Sequence, residues 1–242
     1  MSDRKKTVIV TGASQGIGAG IVNAFVARGF NVVANSRKVT QSTEVTASDS
    51  VALVDGHIGD PAVAAQVAET SLSRFNSIDV LINNAGIFFA KPFLDYTSED
   101  LKSLVSTNIE GFLYITQLSI KQMLAQKRGG SIVTITASLA RNPVRGVTAS
   151  VPMITKGGLE TITGQLAMEY SKDGIRVNAV APGIVYTPMH QNTPQEFMER
   201  MSPMGQPSTV KEIVDAVMYL TDAATVTGEI LDVDGGAHLG CG

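Results

Sequence analysis

Short apolar runs punctuate the chain at Thr7–Val10, Asn31–Ala34, Ser50–Val54, Asp79–Ile82, Ser131–Ile135, Arg176–Val180 and Glu229–Val233. Each is four or five residues long, rich in Val and Ile, and shows no alternation with polar positions. Continuous runs of this kind predict strands covered on both faces. Between them the spacing turns helical: Ile17, Ile21 and Phe25 recur at intervals of four, as do Ile162, Leu166 and Tyr170. Strand–helix alternation predicts an α/β domain with a parallel sheet and helices on both faces. No shift in composition marks a second domain, so residues 1–242 are read as one unit. The stretch Pro182–Pro207 is proline-rich and follows a strand. A loop at about 183–207, at the C-terminal end of that strand, is therefore expected to cover a ligand.

Composition narrows the function classes. The 242 residues are 44% hydrophobic and 17% charged, with 19 basic against 22 acidic side chains and a net charge of −3. That balance argues against a nucleic-acid or anionic-membrane footprint. Cys241 is the single cysteine, which excludes an intrachain disulfide and a cysteine-based zinc site. His57, His190 and His238 stand far apart in sequence, and no metal site is assigned. The opening residues pass from charge straight into an apolar run, without a signal-peptide core or a membrane-spanning stretch. A cytoplasmic location is the expectation.

The chemistry begins at Thr11-Gly12-Ala13-Ser14-Gln15-Gly16-Ile17-Gly18, directly after the first predicted strand and opening the first helix. Glycines at 12, 16 and 18 permit a tight turn and a close backbone approach, and the helix N-terminus offers free N–H groups to a pyrophosphate. Asn83-Asn84-Ala85-Gly86 follows the fourth strand, Asn108 lies in Ser106-Thr107-Asn108, and Ser138 follows the fifth strand. Pro182-Gly183, Val185 and Thr187 follow the sixth strand, and Val233-Asp234-Gly235-Gly236 the seventh. This series, running from residue 7 to residue 236, resembles the short-chain dehydrogenase/reductase family. The resemblance implies a single-domain, doubly wound, seven-stranded Rossmann fold that binds a nicotinamide dinucleotide. It implies cofactor contacts from Gly12, Ser14, Gln15, Gly16, Ile17, Gly18, Ser36, Arg37, Ile58, Asn84, Ala85, Gly86, Lys156, Pro182, Gly183, Val185 and Thr187. It also implies catalytic roles for Asn108, Ser138 and Lys156.

Cofactor choice is read at the end of the second strand, Ala34-Asn35-Ser36-Arg37-Lys38. By the resemblance, Ser36 takes the slot where an acidic residue would bind the adenosine ribose, and Arg37 follows it. A guanidinium can grip a 2′-phosphate in two places, and no carboxylate repels it. NADP(H) is therefore expected in preference to NAD(H). Ile58 is expected near adenine, while His57 is as readily a surface residue.

One position departs from the family. Its chemistry rests on Tyr-x-x-x-Lys, in which the tyrosine protonates the substrate and the lysine holds the ribose and lowers the tyrosine pKa. Thr155-Lys156-Gly157-Gly158 matches the lysine segment, but four residues earlier stands Pro152, and no tyrosine occurs between Tyr114 and Tyr170. Proline is tolerated in a first helical turn but has no proton to give. Three readings stand. Tyr186, His190 or a water held by Ser138 and Lys156 supplies the proton; an imine substrate dispenses with it; or the protein is a catalytically inactive cofactor-binding sensor or scaffold. The leading reading is an NADP(H)-dependent oxidoreductase acting on a small carbonyl, alcohol or imine.

The family resemblance further implies a homotetramer. Gly157, Gly158 and Gly164 would allow a helix of another subunit to approach, or serve packing against the chain's own sheet. The tail after Gly236 would cross to a neighbouring subunit or be disordered. Tyr186, Met189, His190, Phe197 and Met201 in the covering loop, with Phe88 and Phe89, suit a moderately apolar small molecule.

Overall fold

The computed structural model describes residues 4–240, and Cys241 lies outside them. Seven strands appear where the apolar runs predict them: β1 (Thr7–Thr11), β2 (Asn31–Ser36), β3 (Val51–Asp55), β4 (Val80–Asn83), β5 (Gly130–Ile135), β6 (Ile175–Pro182) and β7 (Ile230–Val233). They form one sheet in the order β3-β2-β1-β4-β5-β6-β7. All neighbouring pairs are parallel, with Val8 opposite Val32 on one side and Val80 on the other. Strand order reverses between β1 and β4, which opens a crevice at their carboxyl ends.

The sheet alternates its side chains between two buried layers. Val8 and Val10 join Ile21 and Phe25 of α1 (Gly16–Ala27) and, from near the chain's end, Ile213, Val217 and Leu220. Ile9 and Leu81 join Val67 of α2 (Pro61–Phe75), together with Ile115 and Met123 from the helix that precedes β5. Each strand is thus apolar on both faces, which is why its sequence shows no period of two.

The segment before β5 is a continuous rod in three parts. Helix α3 (Ser98–Leu104) runs into a wide π turn at Val105–Glu110 and continues as α4 (Gly111–Gln126). Helix α5 (Ser150–Tyr170) follows β5. Its sheet-facing stripe is Val151, Thr155, Leu159, Thr163 and Ala167, all buried. The apolar stripe conspicuous in the sequence, Ile162, Leu166 and Tyr170, instead lines a surface groove with Phe112, Leu113 and Ile120 of α4.

Beyond β6 the expected loop is only partly irregular. Val185 and Ser208 pair as a parallel bridge, and α6 (Gln195–Arg200) stands between them. Helix α7 (Val210–Asp222) then opens on a reciprocal cap, Thr209 accepting from the Glu212 N–H and Glu212 from the Thr209 N–H. The tail up to Gly240 holds local structure within the chain. Ala237–Leu239 form a short helical turn, and Asp234 accepts from the His238 N–H and its ring Nδ1. Among the described residues no helix is long and apolar enough to cross a membrane.

Candidate active site

A cavity of about 780 Å³ opens at the carboxyl ends of the strands. Its floor is the glycine-rich turn. Gly12 has φ 65°, and a β-carbon there would meet the Ala85 backbone and Asn84 Nδ2 at 2.8 Å. A β-carbon on Gly18 would run into the Gly12 carbonyl. Asn84 Nδ2 in turn donates to the Thr11 and Gly12 carbonyls at 3.0 Å, and Thr11 Oγ1 accepts from the Asn84 and Ala85 N–H groups. The two glycines therefore let the β1 turn and the segment after β4 lock together. Helix α1 begins at Gly16 with no side-chain cap from Gln15, so its first N–H groups face the cavity as a site for an anion.

One end of the cavity lies over β2 and β3. Ser36, Arg37, Lys38, His57 and Ile58 line it, together with Asn35. Asn35 is fully buried; its amide donates to the Val54 and Gly56 carbonyls, while Asn35 Oδ1 and Ser36 Oγ have no protein partner. Buried polar atoms without partners cost free energy unless a ligand or water meets them. Their position fits the adenosine end of a dinucleotide. His57 is half-buried at the edge of this end. Its Nε2 lies 3.1 Å from Thr107 Oγ1, and its Nδ1 accepts from the Gly59 N–H.

The other end lies over β5 and β6. Three inter-strand steps separate β2 from β5, about 14 Å. Here Ser138 and Lys156 line the cavity, and Asn108 stands behind it. The π turn aims the buried Asn108 between two walls. Its amide donates to the Ile87 carbonyl at 3.1 Å and Thr155 Oγ1 at 2.9 Å, and its Oδ1 accepts from the Ile87 N–H. Pro152 is buried as the third residue of α5, where the missing N–H has no intrahelical partner to lose. No tyrosine lines the cavity. Tyr186 is 44% exposed and does not line the cavity, so it drops out of the proton-donor candidates.

Lys156 is buried, and its Nζ donates to the Ile135 carbonyl at 2.8 Å. Burial lowers its pKa to about 8, against a smaller upward pull from Glu160. Glu160, one helical turn further on, is a buried partner behind the site that sequence reasoning missed. Its carboxylate accepts from Thr136 Oγ1 at 3.0 Å and pairs with Arg141 Nε at 2.9 Å, and Arg141 also reaches Asp232 at 2.7 Å. Burial raises the Glu160 pKa despite these partners. The signal was absent because positions 136, 141, 160 and 232 meet only once the sheet is assembled.

The covering segment contributes Gly183, Val185, Thr187, Met189, His190 and Phe197 to the cavity. Burial holds His190 below the ordinary histidine pKa, so the ring is neutral at pH 7. Phe88 lines the cavity, whereas Phe89 stacks obliquely on Tyr96 outside it. The remaining sequence candidates, Ser14, Gln15, Gly16, Ile17, Ala85, Gly86 and Pro182, all border it. Asp232, Asp234 and His238 approach one another closely enough for a cation, but Asp232 is engaged by Arg141 and Asp234 by His238.

A Rossmann sheet with this crevice and glycine-rich floor defines a nucleotide-binding class of domain. Comparison with known proteins narrows the class. A family model described as enoyl-(acyl carrier protein) reductase matches residues 12–238. L-xylulose reductase of Bos taurus is 34% identical over 245 residues, covering 96% of each chain. A 3-oxoacyl-[acyl-carrier-protein] reductase of Synechocystis sp. is 32% identical over 241 residues, again with 96% of each covered. The structure of 3-ketoacyl-(acyl-carrier-protein) reductase from Brucella melitensis, complexed with NADH, superposes with a TM-score of 0.90 at 28% identity, covering 98% of this chain and 100% of that one. The chain belongs to the short-chain dehydrogenase/reductase family.

Proposed function

We propose that the protein is an NADP(H)-dependent reductase of a small carbonyl or imine compound. The observation that carries this reading is the continuous cavity from Ser36 and Arg37 at one end to Ser138 and Lys156 at the other. The residues present fit the dinucleotide. Glycines 12 and 18 let the floor close up, the uncapped start of α1 faces a diphosphate, and Asn35 Oδ1 and Ser36 Oγ await partners. Arg37 makes no ion pair among the described residues and is available to a 2′-phosphate. The reduced nicotinamide supplies a hydride when bound. Ser138 orients the acceptor, Lys156 holds the neighbouring ribose, and Met189 and Phe197 exclude water above it.

In this reading Pro152 takes the place of the family's tyrosine, and the protein works in the cytoplasm. It is a homotetramer in which the α4–α5 groove is covered by another copy. A β-carbon on Gly157 or Gly164 would meet nothing within 4 Å, so these glycines do not serve packing against the chain's own sheet. A second reading, a non-catalytic cofactor-binding sensor, is favoured by Pro152 itself, which offers no phenolic proton.

Calorimetric titration with NADPH and NADH tests the cofactor; tighter NADH binding refutes the NADP(H) assignment. Single-turnover oxidation of bound NADPH with a panel of ketones, diketones and cyclic imines tests the activity. Tight binding with no oxidation across the panel replaces the reductase by the sensor. Sedimentation velocity tests the tetramer, and a monomer at micromolar concentration removes it.

A further inference from the structure

Reduction of a carbonyl needs a proton as well as a hydride, and the wall of the cavity restricts where that proton can come from. The titratable side chains lining it are Arg37, Lys38, His57, Lys156 and His190. Arg37 and Lys38 follow β2, three inter-strand steps or about 14 Å from β5; the His57 ring is already engaged, its Nδ1 accepting from the Gly59 N–H and its Nε2 facing Thr107 Oγ1. Burial holds His190 below the ordinary histidine pKa, so at pH 7 it is a neutral imidazole and a far weaker acid than an ammonium, and its Nδ1 lies 3.5 Å from Thr193 Oγ1. That leaves Lys156.

Its surroundings leave a proton available. Of its three N–H groups one is used on the Ile135 carbonyl and, in the reading above, another serves the ribose, which leaves the third for the acceptor. Among the described residues Lys156 makes no ion pair, because the nearest carboxylate on its helix, Glu160, is already claimed by Arg141 and Thr136. The ammonium borders the cavity in front of Gly86, where a β-carbon would lie 3.2 Å from Nζ and 3.3 Å from Asn108 Oδ1. Gly86 therefore keeps open the approach to both groups.

We infer that Lys156 is itself the proton donor, passing a proton from Nζ to the acceptor's oxygen or nitrogen without a phenol between them. This rests on the reductase reading above. Two electrons and a hydrogen reach the acceptor carbon as hydride from the reduced nicotinamide, and the C=O or C=N π bond breaks. The heteroatom takes the Nζ proton, leaving a neutral amine that water re-protonates. Burial supports the role, since an amine with a pKa near 8 is protonated at pH 7 yet gives up its proton more readily than an ordinary lysine.

The test has two arms. In cofactor-free protein with 13C-labelled lysine side chains, NMR titration is expected to show one amine with a midpoint near 8 that disappears in Lys156→Arg; all amines titrating near 10.5 overturn the inference. In the second arm, the rate of NADPH oxidation by a responsive acceptor is followed from pH 6 to pH 10. The rate is expected to be flat below about 8 and to fall tenfold per pH unit above it. Lys156→Arg, which keeps the charge but holds its proton throughout this range, is expected to lose about a hundred- to ten-thousand-fold in rate while binding NADPH within about tenfold. His190→Gln is expected to keep the same break point. Undiminished turnover in Lys156→Arg, or a break that moves with His190, overturns the inference and leaves the reductase reading standing. Silence of the wild type toward every acceptor, with NADPH bound, overturns both.

Discussion

Replacing Lys156 by methionine keeps most of the buried stem and removes the charge, so it separates what the ammonium does for chemistry from what it costs the fold. The unfolded amine titrates near 10.5 and the folded one near 8. At about 1.4 kcal/mol per pH unit, the folded chain carries a penalty of about 3 kcal/mol below pH 8. Between those two values the unfolded chain binds more protons than the folded one, so wild-type stability rises with pH across that window. Losing the bond to the Ile135 carbonyl opposes the gain by about 1–2 kcal/mol. Lys156→Met is therefore expected to be about 1–2 kcal/mol more stable than wild type at pH 7, with the advantage gone by pH 10.5. Urea unfolding of cofactor-free protein, at matched concentration and at pH 7 and pH 10, measures this. A variant no more stable at pH 7, or equally favoured at both pH values, refutes the reasoning.

Other substitutions probe the remaining parts of the site. Ser36→Asp is expected to weaken NADPH binding at least about tenfold relative to NADH, read by calorimetry, because the carboxylate repels a 2′-phosphate. Gly18→Ala drives a methyl group into the Gly12 carbonyl and Asn84, and is expected to lower both the melting temperature and NADPH affinity. Arg141→Leu leaves the buried Glu160 carboxylate with Thr136 alone. A loss of about 1–2 kcal/mol at pH 7 is expected, discounted because Arg141 is partly exposed. Glu160 already titrates above its ordinary value, so the deficit shrinks as acidification protonates it, which unfolding at pH 5 and pH 7 would show.

The strands and the glycine-rich turn were legible because their determinants are local. A strand buried on both faces is a bare apolar run, and a glycine forced by a close approach sits at a fixed offset from it. Helix α5 shows where that logic fails. Its inner stripe contains Thr155 and Thr163, whose hydroxyls are satisfied by the Pro152 and Leu159 carbonyls, so polar residues lie inward while Ile162 and Leu166 line the groove. Periodicity alone picks out a stripe that lies half in the groove and half against the core, with Leu166 and Tyr170 packed on it. The Thr136–Arg141–Glu160–Asp232 cluster was invisible for a different reason: its members come from three separate stretches of chain, the segment after β5, α5 and β7, and share no spacing. The same holds for His57, whose contact with Thr107 of the π turn joins distant stretches of chain.

That π turn has a consequence for how the protein could acquire new acceptors. Through Asn108 it braces the Ile87 wall against α5, so loosening one side of the crevice loosens both. Met189 and Phe197 belong to a separate strip of chain that the brace does not touch. Laboratory evolution toward altered selectivity should accordingly find its tolerated changes in that strip. Libraries that diversify it and spare the brace would sample new pocket shapes without surrendering the framework that holds them.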